Sequence, residues 1–137
     1  MDKSTIILSL IVYSSNTFAA DALLLFAGKN HDEFIGCLNC SSIDDSSVCN
    51  SIGKYGSSIS DKSIWNSIGD YGSTISSKSP WNTIAQYPPV IVDKNGNFYG
   101  YLTANTIQSK RTNNSTLQRL TEIANKDLNR ARELFCE

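Results

Sequence analysis

Hydrophobic residues are distributed along this chain in four different patterns. The first is a nearly unbroken run, Ile6-Ile7-Leu8-Ser9-Leu10-Ile11-Val12, preceded by Lys3 and followed by polar Ser14 to Thr17 and then Phe18-Ala19-Ala20. A basic start, an apolar centre and a small-residue end is the order of a secretory signal, and the run falls short of the roughly 20 apolar residues that span a bilayer. Cleavage after Ala19 uses Thr17 and Ala19 as the small pair, with Ala20-Asp21-Ala22 as a second option. Residues 1–19 are therefore expected to be a signal peptide and 20–137 a single exported domain. A buried N-terminal core segment would leave the polar-then-alanine ending unexplained.

The second pattern is short apolar blocks bounded by turn formers. Ala22 to Ala27 reads as a buried strand, Gly28 to Glu33 as a polar turn and Phe34 to Leu38 as the partner strand. After Pro88-Pro89, a second hairpin is expected over 90–103, with Val90-Ile91-Val92-Asp93 and Phe98-Tyr99-Gly100-Tyr101-Leu102 joined at Asn95-Gly96, the dipeptide suited to a type I′ turn. Asp93 to Asn97 also has the look of a calcium loop, but glycine stands fourth rather than sixth and Ala104 occupies the twelfth position. The third pattern has helical spacing: Leu117, Leu120, Ile123, Ala124, Leu128, Ala131 and Leu134 or Phe135 share one face, with Ser115 and Gln118 as a capping box. One helix over 115–135 is expected, its mixed-charge face in solvent rather than on a membrane surface.

The fourth pattern is a repeat. A shift of 16 superposes Cys40-Ser41-Ser42-Ile43, Gly56-Ser57-Ser58-Ile59 and Gly72-Ser73-Thr74-Ile75, and then Cys49-Asn50, Trp65-Asn66 and Trp81-Asn82. Units 40–55, 56–71 and 72–87 close on Tyr55, Tyr71 and Tyr87. Recurring Ile, Trp and Tyr argue against Ser-rich disorder. Short extended segments separated by turns are expected, stacked so that equivalent residues form rows. Ile43, Ile59 and Ile75, and Ile52, Ile68 and Ile84, are the expected core rows. The asparagines are expected to serve turn backbone, the tryptophans to be core, and Tyr55, Tyr71 and Tyr87 to be the row available for binding. The fold class is then mainly β (α+β): a hairpin, three stacked 16-residue units in a small solenoid or hairpin stack, a second hairpin and a C-terminal amphipathic helix.

Composition narrows the function more than it defines it. The full chain has 12 basic and 13 acidic residues, a net charge of -1 that removal of Asp2 and Lys3 leaves unchanged. Nucleic acid is not an expected partner, because no basic stripe accompanies the aromatics of the repeat. No later stretch is long and apolar enough for a membrane span, and no cysteine at the cleavage point suggests a lipid anchor. His31, the single histidine, lies in the turn Lys29 to Glu33, and the serines lack a base partner, so no catalytic residue is assigned. Cys37-Leu38-Asn39-Cys40 is a CxxC without the βαβ context of a thioredoxin-like site. A zinc site from Cys37, Cys40, Cys49 and His31 has suitable ligand types, but thiols of an exported chain pair, so neither metal nor cofactor is implied.

Gly36-Cys37-Leu38-Asn39-Cys40, the Tyr-Gly-Ser and Ser-x-Trp-Asn elements, and Pro88 to Asp93 running to Phe98-Tyr99-Gly100-Tyr101 together resemble a group of short, uncharacterised secreted bacterial proteins. The resemblance covers about residues 23–103 and brings no activity. Repeats of that group carry a large residue where this chain has Cys49, which suggests a local disulfide. Within the repeat, Cys40 replaces Gly56 and Gly72, and Cys49 replaces Trp65 and Trp81; if each glycine lies under its own unit's tryptophan, a Cys40–Cys49 bridge substitutes for that contact. Cys37 and Cys40 would face opposite sides of a strand, which leaves Cys37 for Cys136. The expectation is a secreted or periplasmic, disulfide-bonded, non-catalytic module that binds an extracytoplasmic protein. Glycan or cell-wall binding through the tyrosines is the alternative, and a small exported enzyme or a redox or zinc CxxC protein is a third reading.

Overall fold

The computed structural model describes residues 21–137, and the expected signal peptide lies outside them. Four short strands, β1 (Leu24–Ala27), β2 (Glu33–Cys37), β3 (Val90–Val92) and β4 (Phe98–Tyr101), form one antiparallel sheet in the order β2-β1-β3-β4. β1 alternates, burying Leu25 and Ala27 fully, Ile35 and Ile91 of the neighbouring strands join them in the core, and the β1–β2 register shifts at an irregularity between Leu25 and Phe26. Helices α1 (Ser115–Lys126) and α2 (Leu128–Cys136) follow. The chain is thus a mixed α+β protein rather than a mainly β one, because the repeat between β2 and β3 contributes turns and no strands.

That repeat is a chain of hydrogen-bonded turns. Ser60 N–H donates to Ser57 O at 3.2 Å, Ser63 to Ser60 at 3.2 Å, Asn66 to Ser63 at 3.3 Å and Gly69 to Asn66 at 3.0 Å, and a four-residue step carries Ser73 N–H to Gly69 O at 3.0 Å. Four steps of three residues and one of four make the 16-residue period. Each three-residue turn opens on Ser, Asn or, at Asp44, Asp, whose side-chain oxygen accepts the N–H two residues on, as Ser63 does from Trp65 (3.0 Å) and Asn66 from Ile68 (3.2 Å). The amides also reach back: Asn50 Nδ2 donates to Asp44 O, Asn66 to Ser60 O and Asn82 to Ser76 O, at 3.0–3.2 Å. Extended segments are therefore not what Ser, Asn and Gly encode here; their side chains complete the backbone's hydrogen bonding without a strand partner.

Both edges of the sheet are covered. Cys37 N–H donates to Ser46 O (2.7 Å) and Cys37 O accepts Val48 N–H (3.0 Å) on the β2 side, while Tyr101 N–H donates to Lys110 O (2.8 Å) and Tyr101 O accepts Thr112 N–H (2.9 Å) beyond β4. The β3–β4 connection is not a type I′ turn. Among the described residues His31 is the one non-glycine with positive φ, so Asn95 lacks the positive φ that a type I′ turn needs and only Gly96 of the pair (φ 84°) has it. The reason is Asp93, whose carboxylate accepts Asn95 N–H (2.9 Å), Asn97 N–H (3.0 Å), Asn97 Nδ2 (2.8 Å) and Tyr99 Oη (2.8 Å), organising a longer loop.

The expected single helix is broken at Asp127, an extended residue (φ −153°, ψ 94°) that serves both pieces. Its N–H donates to Ile123 O to end α1, and its side chain accepts Arg130 N–H to begin α2. Nor is Ser115 the cap: Asn114 is, accepting Leu117 N–H at 3.0 Å, while Gln118 Nε2 turns back to Thr112 O at 2.8 Å. Leu117, Leu120, Ala124 and Ala131 enter the core shared with the sheet and the tryptophans.

Candidate functional site

The expected allocation of rows to core and surface is inverted for isoleucine. Ile43, Ile52, Ile59, Ile68, Ile75 and Ile84 are 78–93% exposed. In every unit the interior is filled instead from the third turn: Val48, Ile64 and Pro80 at its second position, and Cys49, Trp65 and Trp81 at its third. Trp81 is fully buried, stacks on Trp65 with ring centroids 5.8 Å apart, and donates its indole N–H to Ile64 O at 2.6 Å; Trp65 does the same to Val48 O at 2.7 Å. The large rings occupy the available depth, and the isoleucines, third in the first and fourth turns, point away from it.

Each of these isoleucines has its N–H fixed by a side-chain oxygen two residues earlier, from Ser41, Asn50, Ser57, Asn66, Ser73 and Asn82 respectively for Ile43, Ile52, Ile59, Ile68, Ile75 and Ile84. A seventh lies outside the 16-residue alignment: Asn105-Thr106-Ile107 repeats Asn82-Thr83-Ile84, with Ile107 N–H on Asn105 Oδ1 at 3.2 Å and its side chain 87% exposed. The Asn-Ser/Thr-Ile tripeptide was the sequence signal that could have revealed it. At such exposure no isoleucine shields the next, so they form separate, rigidly based knobs rather than a continuous apolar patch.

The tyrosines behave differently. Tyr71 is buried, and Tyr55 and Tyr87 are half-buried. Tyr55 meets Phe34 edge-on with centroids 4.9 Å apart, and each ring of the row has an ammonium over it: Lys54 on Tyr55, Lys62 on Tyr71 and Lys29 on Tyr87, at 5.6–5.9 Å. Lys62 also pairs with Glu33 of β2 at 2.6 Å, which holds its ammonium pKa above the ordinary value. Burial, and then the Glu33 charge, push the Tyr71 hydroxyl up as well. The row thus joins the repeat to the first hairpin. His31 contributes to the same region, with Nε2 3.1 Å from Pro88 O and its ring 5.6 Å from that of Tyr101.

The cysteines pair as Cys37–Cys40 and Cys49–Cys136, not as Cys40–Cys49 and Cys37–Cys136. Cys37 and Cys40 do not lie on one strand, because β2 stops at Cys37 and the chain bends at once, bringing their Cα atoms to 5.6 Å. A Cβ on Gly56 or Gly72 would stand 2.0 or 2.1 Å from the carbonyl oxygen of Asn50 or Asn66, so these glycines admit the backbone six residues earlier, not a tryptophan ring. Cys49 does take the tryptophan position, but that position faces α2: Trp65 lies 6.5 Å from Phe135, and one unit earlier Cys49 meets Cys136.

No protein-family model, curated protein or solved structure matches this chain.

Proposed function

We propose that the mature chain is a non-catalytic module exported from the cytoplasm, which binds another protein through the isoleucine knobs of its stacked repeat units. The observation that carries this reading is the set of seven isoleucines, 78–93% exposed, each on a turn braced by a Ser or Asn side chain. Leaving such a side chain in water forgoes about 1.5–3 kcal/mol of burial. The fold gains nothing from the isoleucines at these positions, whereas a partner with matching pockets gains preformed apolar anchors at little entropic cost. The two disulfides support an oxidising destination, in keeping with the signal-like N-terminus and a secreted or periplasmic location. Stacking of the units is supported by the Trp65–Trp81 pair and by the two indole bonds that each reach 17 residues back.

The test uses the mature protein and a variant with Ile52, Ile68 and Ile84 replaced by Ser, each immobilised and exposed to the extracytoplasmic proteins of the source cell. Both should fold alike, and a partner retained by the parent should be lost from the variant. Equal retention by the two would remove the isoleucines from the interface.

A further inference from the structure

A second surface, lined by none of the isoleucine knobs, has different chemistry. Between Asp93 and Glu122 the chain carries Lys94, Lys110, Arg111 and Arg119 and no acidic residue, although its net charge is -1. Two of these cations, Lys110 and Arg111, wall a groove of about 590 Å³ between β4 and the start of α1. Phe98 and Tyr99, 49% and 40% exposed, are the two large aromatics left most open among the described residues, and both line it. The exposed amides of Asn113 and Asn114 complete the rim.

The groove is electrostatically directional. Arg111 is held in place, donating from Nε to Thr103 O at 2.8 Å and from a terminal nitrogen to Thr121 Oγ1 at 3.1 Å, so its charge is stationary. Lys110 is exposed beside it. At the other end, the Tyr99 hydroxyl donates to Asp93, and Asp93 with Asp21 holds the phenol pKa above its usual value. The Asp93 carboxylate spends its lone pairs on Asn95, Asn97 and Tyr99 but keeps its charge, and Asp21 adds a second one near Tyr99, so the groove runs from an anionic end at Tyr99 to a cationic end at Lys110 and Arg111.

Exposed rings offer apolar faces to the C–H side of a pyranose, amides hydrogen-bond its hydroxyls, and cations pair with a carboxylate. We infer that this groove binds an acidic saccharide, a uronate-bearing chain whose sugar rings lie along Phe98 and Tyr99 with a carboxylate at Lys110 and Arg111. It is a different site from the tyrosine row, and it does not depend on the isoleucine knobs.

A polyuronate oligosaccharide titrated into the intact mature protein, followed by amide chemical shifts, tests the inference. Shifts should concentrate at residues 98–100 and 110–114, and affinity should fall as salt rises. Lys110→Glu should weaken binding by about tenfold or more, since it reverses an exposed charge without touching the core. Phe98→Ala should weaken it too, while Ile68→Ser should leave it unchanged. A neutral oligosaccharide of equal length binding as well, an affinity indifferent to Lys110→Glu, or no binding at all would each overturn the proposal.

Discussion

The sheet-and-helix part of the molecule and the turn repeat solve the same problem by different means. In the sheet, backbone groups are satisfied between strands, and side chains are free to sort by hydrophobicity: Leu25, Ile35 and Ile91 go in. In the repeat, Ser and Asn side chains are spent on the backbone, and the turn position rather than hydrophobicity decides which residues are buried. Ile64 is fully buried and Ile68 is 92% exposed although four residues separate them. Hydrophobic character is thus a better guide to burial in the central strands β1 and β3 than in the turn repeat.

If that contrast is right, the repeat rests on its tryptophans. Trp81→Ala removes a fully buried ring, its stacking on Trp65 and its bond to Ile64 O, and should cost about 3–5 kcal/mol in a denaturant titration. A loss as small as that of a surface residue would mean the units do not depend on one another through this row.

The disulfides sharpen the same point by their reach. Cys49–Cys136 spans 87 residues and ties the repeat to the end of α2, whereas Cys37–Cys40 closes a separation of three within the β2 exit. Loop entropy assigns the long bridge roughly 4–5 kcal/mol and the short one about 2. Paired Cys→Ala variants should follow that order in thermal unfolding, and the reverse order would show that the fold depends on the bend the short bridge fixes more than on the span of the long one.

How much of this could be read from the chain differs between the two regions. The β-forming blocks around Leu25 and Ile91 and the amphipathic pattern from Leu117 to Leu134 were legible because periodicity reports burial directly. The break at Asp127 was not, since an Asp within a continuing apolar stripe looks like a solvated position until its two capping bonds are seen. The 16-residue period was plain, yet it concealed the three-residue step that generates it, marked by Ser57, Ser60, Ser63 and Asn66. Hydrophobicity alone places the isoleucines inward, and only the three-residue step shows that they face out and that Gly56 and Gly72 admit a carbonyl rather than a ring. The candidate tyrosine row was visible as a row; the lysines over its rings come from Lys54 and Lys62 within the repeat and Lys29 outside it, and no local pattern joins Lys29 to Tyr87.

A smaller effect distinguishes the β3–β4 loop, a part of the sheet region that uses side-chain bonding as the repeat does. Hydrogen bonds from the Asn97 side chain, then Tyr99 and the backbone, hold the Asp93 carboxyl at about 2, below its ordinary 3.8. A depressed carboxylate contributes stability that is present above the unfolded pKa and lost as pH falls through the folded one. Part of the acid sensitivity between about pH 4 and pH 2 should therefore disappear in Asp93→Asn. Parallel stability profiles for parent and variant across that window would assign the loop's order to its backbone alone.

The smallest expected effect is the most direct test of the contrast. Ile68→Asp places a charge at the centre of the repeat, at a position that hydrophobicity alone would bury. With the side chain in water, thermal unfolding of the variant should remain cooperative and its stability should stay within about 0.5 kcal/mol of the parent. Loss of the cooperative transition, or a drop of several kcal/mol from an unpaired buried charge, would contradict the outward isoleucines and restore a hydrophobic stack in their place.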